Sequence, residues 1–234
     1  VVGLLDRQIY GAEMSEFTTA EIPDMSAVDP EQDHWLANYI LNTILSVSVP
    51  TPQRQQLFNF LRRCHSALTE YSQGRTSTLA FLADRSRQLR YLEAIDHWEA
   101  FLAYSWRAYQ FLAGGRALWF NRGDGSVLER LWGLHTRVKH ADEAVVRGDI
   151  VGDSPLCLWL TNDGLTSTDM TLTFNELGEI VKDLAAWASA VQNPQTLREK
   201  LSSNYEDSES ETHIQANKGN SQRSTRSSTR NSPQ

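Results

Sequence analysis

From residue 29 onward the apolar residues of this chain recur three and four positions apart, the spacing that lines one face of an α-helix. The first such run is DPEQDHWLANYILNTILSV. Asp29 suits the N-cap, Pro30 the first helical position and Glu31 the first turn, and Trp35, Ile40, Leu41, Ile44 and Leu45 make an apolar stripe up to about Val49. VPTPQ breaks it. Thr51 caps a second helix that Pro52 opens, predicted over about 52–73 with Leu57, Phe60, Leu61, Cys64 and Leu68 inward and Gly74 as its end. The longest element is predicted from about Thr78 to Leu112. There Tyr91, Ile95, Trp98, Leu102, Ser105, Tyr109 and Leu112 keep a helical seam for about three heptads, and Gly114–Gly115 closes it. A helix of that length usually forms the spine of a bundle.

FNRGDGS reads as a turn in which Asp124 or Ser126 caps the next helix. That helix, LERLWGLHTRVKHADEAVVRG over 128–148, extends a line through Val127, Leu131, Leu134, Val138, Ala141 and Val145. The period then changes from helical to alternating. Leu156, Leu158 and Leu160 share one face, Met170, Leu172 and Phe174 follow later, and NDG lies between them. PLCLWLTNDGLTSTDMTLTF therefore predicts a small β-hairpin at about 156–174. A final helix over about 174–192 carries Leu177, Ile180, Val181, Leu184, Trp187 and Val191 and stops before Pro194. Beyond about residue 202 apolar residues almost vanish, and such a segment cannot bury enough surface to offset its ordering entropy.

The expected organisation is a weakly structured leader over 1–28, a helical domain over 29–196 and a disordered polar tail over 197–234. The expected fold class is all-α: a bundle of four to five helices with a small β-hairpin before the last helix. Composition agrees, since 234 residues with 40% hydrophobic and 22% charged residues and seven tryptophans suit a packed soluble domain. A net charge of -7 argues against nucleic-acid binding through overall charge and leaves only a local basic patch for it. Cys64 and Cys157 lie far apart and have no CxxC partner, which suits a reducing cytosol and excludes a cysteine-based zinc site. No stretch approaches the roughly 20 apolar residues of a membrane span. The N-terminus has no basic-then-apolar signal pattern, so the expected location is cytoplasmic.

Chemistry concentrates in the 128–148 run. On a helical wheel His140 points almost away from the apolar line, Arg137 sits about 60° from it, and His135 lies on the opposite flank beside Trp132 and one turn before Lys139. Arg137 and His140 can thus share a surface that the core does not bury. The plain reading is structural: His135 as a boundary residue with a satisfied hydrogen bond, and Arg137, Lys139 and Arg147 as cations at the negative end of a helix dipole. Other candidates are weaker. Asp33–His34–Trp35 and Asp96–His97–Trp98 place polar residues beside aromatics, and Asp96, His97 and Glu99 read mainly as the solvated side of the central helix. AGG and GDG lack the strand–loop–helix context of a phosphate loop and read as turns. The arginines of RSTRSSTR offer contacts to RNA or an acidic partner, although a solvated tail is the plainer reading.

A helical bundle with HTRVKH on its penultimate helix, followed by LWLTNDGLTSTDMTLTFNELGEIVKDL, resembles the HEPN superfamily over about residues 30–192. Many members of that superfamily are metal-independent endoribonucleases of toxin–antitoxin, abortive-infection or CRISPR systems, with an Arg-x4–6-His motif that meets its copy across a homodimer. The resemblance implies a homodimer, RNA, and a cognate antitoxin or nucleotidyltransferase-type partner. It implies no membrane and neither metal nor cofactor. With His140 as the family histidine, His135 replaces the expected arginine and Arg137 lies only three residues away; Arg130 and His135 satisfy Arg-x4-His instead. Members with an altered motif serve as binding modules. Two functions therefore follow. In the first, His140 is the acid/base, Arg137 or Arg130 the phosphate clamp, His135 a second proton-transfer group, and Lys139 and Arg147 hold substrate. This suits RNA cleavage, which needs a near-neutral proton donor and acceptor and a cation on the charged phosphorane. In the second, the same patch on a catalytically inactive helical module is a dimer or partner-docking surface.

Overall fold

A computed structural model describes residues 16–45, 51–113, 120–148 and 156–192. One compact unit runs from Val1 to Ser189; of the second, Ala190–Gln234, only residues 190–192 are described. The described residues are mainly helical, with a small antiparallel sheet before the last helix. In chain order the elements are α1 (Asp29–Leu45), α2 (Thr51–Ala83), α3 (Gln88–Leu112), α4 (Val127–Lys139), α5 (Ala141–Arg147), β1 (Trp159–Leu160), β2 (Gly164–Ser167), β3 (Met170–Thr173) and α6 (Phe174–Val191). Gly114–Gly115, Pro194 and the 197–234 tail lie outside the described residues.

The frame is an antiparallel pair of long helices, α2 and α3. Phe81 meets Tyr91, Tyr71 meets Phe101, and Arg63 lies over the Tyr104 ring, so the partners run in opposite directions. The predicted boundary between these helices is corrected by ten residues. α2 runs through Gly74 to Ala83, and the expected long helix from Thr78 is interrupted. Gly74 serves close packing: a Cβ there would lie 2.9 Å from the Trp98 ring. The reversal falls at Asp84–Arg87. The Asp84 carboxylate accepts from the Ser86 hydroxyl (2.6 Å) and backbone N–H (3.3 Å), a local turn that competes with helix. Arg90 then donates to the Ala80 carbonyl at 3.0 Å, tying the start of α3 to the last turn of α2. Across the pair the Trp98 indole donates to Thr78 Oγ1 (3.0 Å), and both residues are fully buried.

The predicted α3 seam is buried at Tyr91, Ile95, Trp98, Leu102, Ser105 and Tyr109, and its last member, Leu112, is half-buried. α1 departs from its predicted stripe. Trp35 is buried, but Tyr39 one turn on is its inward partner, while Ile40 and Leu41 are exposed. Residues 16–28 carry no helix or strand, yet specific bonds fix them. Phe17, Ile22 and Met25 are buried, the Tyr71 hydroxyl donates to the Pro23 carbonyl (2.9 Å), and Arg75 donates to that of Ile22 (3.1 Å).

The expected two-stranded hairpin is a three-stranded meander, β1-β2-β3. NDG supplies the β1–β2 turn, and Thr168–Asp169 supplies a second turn within what was read as one loop. Leu160, Leu165 and Leu172 stand in register across the strands and are all buried, which fixes the inward face. Gly164 admits no side chain, because a Cβ would lie 2.0 Å from the Leu172 carbonyl oxygen. Phe174 then starts α6. Thr173 Oγ1 accepts from the Glu176 N–H (3.2 Å) while the Glu176 carboxylate accepts from the Thr173 N–H (2.9 Å), a reciprocal capping box.

Candidate functional site

The candidate residues sit around the far end of α4, so the start of that helix sets their position. Gly123 (φ +85°) and Gly125 (φ +69°) give the preceding turn its left-handed steps. The Asp124 carboxylate accepts from the Ser126 N–H (2.8 Å) and the Asn121 N–H (2.8 Å); these bonds, the Ser126 one foremost, hold it below the usual carboxylate range. Of the two expected caps, Ser126 caps the helix itself, accepting from Glu129 N–H at 3.2 Å. The Glu129 carboxylate reaches back to the N–H groups of Gly123 and Gly125. Gly133 lies so close to Met170 of β3 that any Cβ would strike its sulfur.

The predicted single helix over 128–148 is divided at His140. Leu131 and Leu134 are buried, but farther along the apolar line Val138 and Ala141 are half-buried and Val145 is exposed. With no core to follow, the chain bends. His140 takes φ −111° and ψ 26°, its N–H still bonded to the Thr136 and Arg137 carbonyls, and its own carbonyl accepts from Ala144. Cations end α4 (Arg137, Lys139) and acids begin α5 (Asp142, Glu143), each favoured by the local dipole.

The joint separates two clefts. The first, about 580 Å³, is lined by Arg137, His140 and Arg147 together with Glu143, Ser167 and Asp169. Its cations are matched by acids. Arg137 pairs with Asp169 and donates to Ser167 Oγ (3.1 Å), His140 Nδ1 lies 3.5 Å from Glu143 Oε1, and Arg147 lies 3.8 Å from the other Glu143 oxygen. Cys157 also lines this cleft; burial, then the charge of Glu99, pushes its thiol up. Burial and neighbouring Asp96 raise the Glu99 carboxyl to about 7, and His97 bonds Glu70 at 2.7 Å, so these two are not simply a solvated face.

The second cleft, about 450 Å³, lies between α3 and α4. His135, Lys139 and His140 line it with Trp106, Arg107, Gln110 and Trp132. No carboxylate is among its lining residues. His135 is buried, and its Nδ1 has no hydrogen-bond partner among the described residues, contrary to the expectation of a satisfied boundary histidine. Burial, then the charges of Arg107, Lys139 and His140, lower its pKa to about 4, so the ring is neutral at physiological pH.

Thus Arg137, His140 and Arg147 share one cleft, and His135, Lys139 and His140 the other. Arg130 is in neither. It donates to the Thr171 carbonyl (2.8 Å), the Gly125 carbonyl (3.2 Å) and both oxygens of Glu176, joining α4, β3 and α6. Its guanidinium is engaged in the fold. Asp169 and Ser167 went unnoticed in the sequence because the second turn of the meander was hidden inside a presumed loop. Arg107 lies off the α3 seam, and no local motif links it to α4. Among the described residues no three metal-ligating side chains stand together, and no helix is long and apolar enough to cross a membrane. Comparison with known proteins adds no relative: no family model, curated protein or solved structure matches this chain.

Proposed function

We propose that this chain is a HEPN-like, RNA-associated module of a bacterial stress or phage-defence system that holds RNA at the α4–α5 joint without cleaving it. The observation that carries this reading is that Arg137, His140 and Arg147 line one open cleft, while neither Arg130 nor His135 does. Arg130 is committed to Glu176, and His135 is buried on the opposite flank. The Arg137–Asp169 pair does not bar a phosphate, because Asp169 is 67% exposed and exposed ion pairs contribute only about 0–1 kcal/mol. A phosphate oxygen can take the place of that carboxylate on the guanidinium.

A second reading, a metal-independent endoribonuclease, is favoured by one feature. His140 is 44% exposed and Glu143 stands where it can orient the ring, as a proton-transfer histidine requires. A homodimer would then supply the second proton-transfer group. Full-length protein incubated with total RNA in EDTA tests both readings. Retarded but intact RNA, with binding weakened by Arg137→Gln, supports the binding module. Cleavage that disappears in His140→Ala supports the nuclease and refutes the first reading. RNA that is neither bound nor cut at high protein concentration refutes both.

A further inference from the structure

We infer that a band of cations running from α2 across α3 to α4 is a docking surface for an acidic peptide, an extended segment with several consecutive aspartates or glutamates. The band begins at Arg62 and Arg63 of α2, passes through Arg107 of α3 and ends at Lys139 of α4. Contacts make it continuous. The Arg63 guanidinium lies over the Tyr104 ring of α3, 5.1 Å from its centroid, and Arg107 follows Tyr104 by one helical turn. Arg107 and Lys139 then line the same cleft between α3 and α4. Arg62, Arg107 and Lys139 are exposed, and Arg63 is half-buried.

The band has no internal counter-charge. Acids outnumber lysines and arginines in this chain by 29 to 22, yet among the described residues none of these four cations pairs with a carboxylate. They act on one another instead. Burial, then the charges of Arg62 and Arg107, lower the Arg63 guanidinium from its ordinary value, and its Nε is buried without a hydrogen-bond partner among the described residues. Burial, then Arg107 and Lys139, act in the same direction on His135 in the cleft wall, whose Nδ1 is likewise unpartnered. Like charges held within reach of one another repel, and an anion from outside relieves that repulsion.

The shape of the band selects the anion. Its cations stand on three helices in succession, and packed helices lie about 8–10 Å apart, so it extends for about 20 Å. That is the reach of about six residues of extended chain at about 3.3 Å each. A compact anion would meet only one or two of these cations. A single-stranded nucleic acid would add stacking, but the aromatic rings beside the band are buried or already faced by an arginine. Trp106 and Phe120 are buried, Arg63 lies over Tyr104, and Arg122 lies over Trp132. Carboxylates need no such face, since each pairs with a guanidinium fork or an ammonium. Gln110, exposed one turn beyond Arg107, can donate to and accept from a peptide backbone. This inference does not rest on RNA binding in the other cleft.

Fluorescence anisotropy of labelled hexaglutamate, titrated with the full chain, tests it, with hexaglutamine and a uridine hexanucleotide as comparison ligands. Hexaglutamate should bind saturably, and hexaglutamine should not. Arg62→Gln, Arg107→Gln and Lys139→Gln, at exposed positions where the fold is not at stake, should each weaken hexaglutamate by about threefold, the scale of an exposed ion pair. The triple variant should lose about thirtyfold. Arg87→Gln, about 30 Å away along α3, should leave binding unchanged. Hexaglutamate held no better than hexaglutamine, or equally well by the triple variant, overturns the inference. A uridine oligomer that binds more tightly than hexaglutamate and is lost in the same variants would assign the band to RNA and also overturn it. So would self-association, read by sedimentation, that the triple variant abolishes, because a second copy would then cover the band. RNA binding that depends on Arg137, or its absence, decides only the function proposed above.

Discussion

Arg130 satisfies an Arg-x4-His spacing, yet it holds the fold together, and a double-mutant cycle with Glu176 separates those roles. The Arg130 and Glu176 side chains are 26% and 27% exposed, so solvent screens them only partly. Two guanidinium nitrogens reach the carboxylate, and a third contact binds the Thr171 carbonyl. Burial pushes the Glu176 carboxyl up, but bonds from Arg130 and Thr173 outweigh it and leave the group below its ordinary value. Hydrogen bonds to charged groups contribute about 1.5–3 kcal/mol each, and the two to Glu176 share one desolvation cost, so a coupling energy of about 2 kcal/mol is expected. Urea denaturation of wild type, Arg130→Ala, Glu176→Gln and the double variant measures it. Each single variant should lower the midpoint by about 1 M, and the double variant should lose little more. A coupling below about 0.5 kcal/mol, the scatter of independent sites, would refute a structural role. So would an Arg130→Ala protein of wild-type stability that no longer binds RNA.

Three further outcomes follow from the packing and the shifted groups. Gly74→Ala gains about 0.5–1 kcal/mol of helix propensity but crowds a Trp98 ring that is fully buried and bonded to Thr78, at about 1–3 kcal/mol, so the melting temperature should fall; a rise would mean that Trp98 has room to move. His135 has a pKa lowered from 6.5 to about 4, so its neutral ring supports the fold fully above about pH 6.5 and that support is lost as pH falls toward 4. His135→Leu should therefore show a shallower loss of stability than wild type over that interval, and parallel curves would contradict the shift. Glu99 has the opposite sign, its carboxyl raised from 4.5 to about 7, so the protonated form is favoured and stability declines as pH rises through 7. Glu99→Gln should be more stable than wild type at pH 8 and show no such advantage below pH 4.5, as read by thermal melts.

Where a periodic stripe met a real core, the sequence was a good guide. The α3 seam and α6 appear where predicted because their apolar lines are long, continuous and buried. Failures arose where one residue type has two physical uses. Gly74 reads as a helix stop, but it is a contact point for Trp98, and nothing local distinguishes the two. The stop that does occur uses Asp84 and Ser86, whose side chains close a turn inside an otherwise helical pattern. At the candidate site the wheel placed Arg137 and His140 on one side correctly. It could not foresee the bend at His140, which arises because the neighbouring core ends, nor the arrival of Asp169 and Arg107 from other elements. Those are tertiary facts, carried by contacts between distant segments.

One such contact constrains how the molecule is assembled. The Asn162 amide accepts from the N–H groups of Thr18 and Thr19, at 2.9 and 3.1 Å, and donates to the Glu16 carbonyl, so the first described residues are fastened 144 positions downstream. During synthesis the α2–α3 pair can zip locally as soon as it emerges, since its partners are near neighbours along the chain. The 16–28 strap can lay Phe17 on Phe81 and Tyr91 of that pair, but its fastening by Asn162 must wait until the sheet has left the ribosome. A segment made before the helices it crosses is thus held by bonds that are among the last to form.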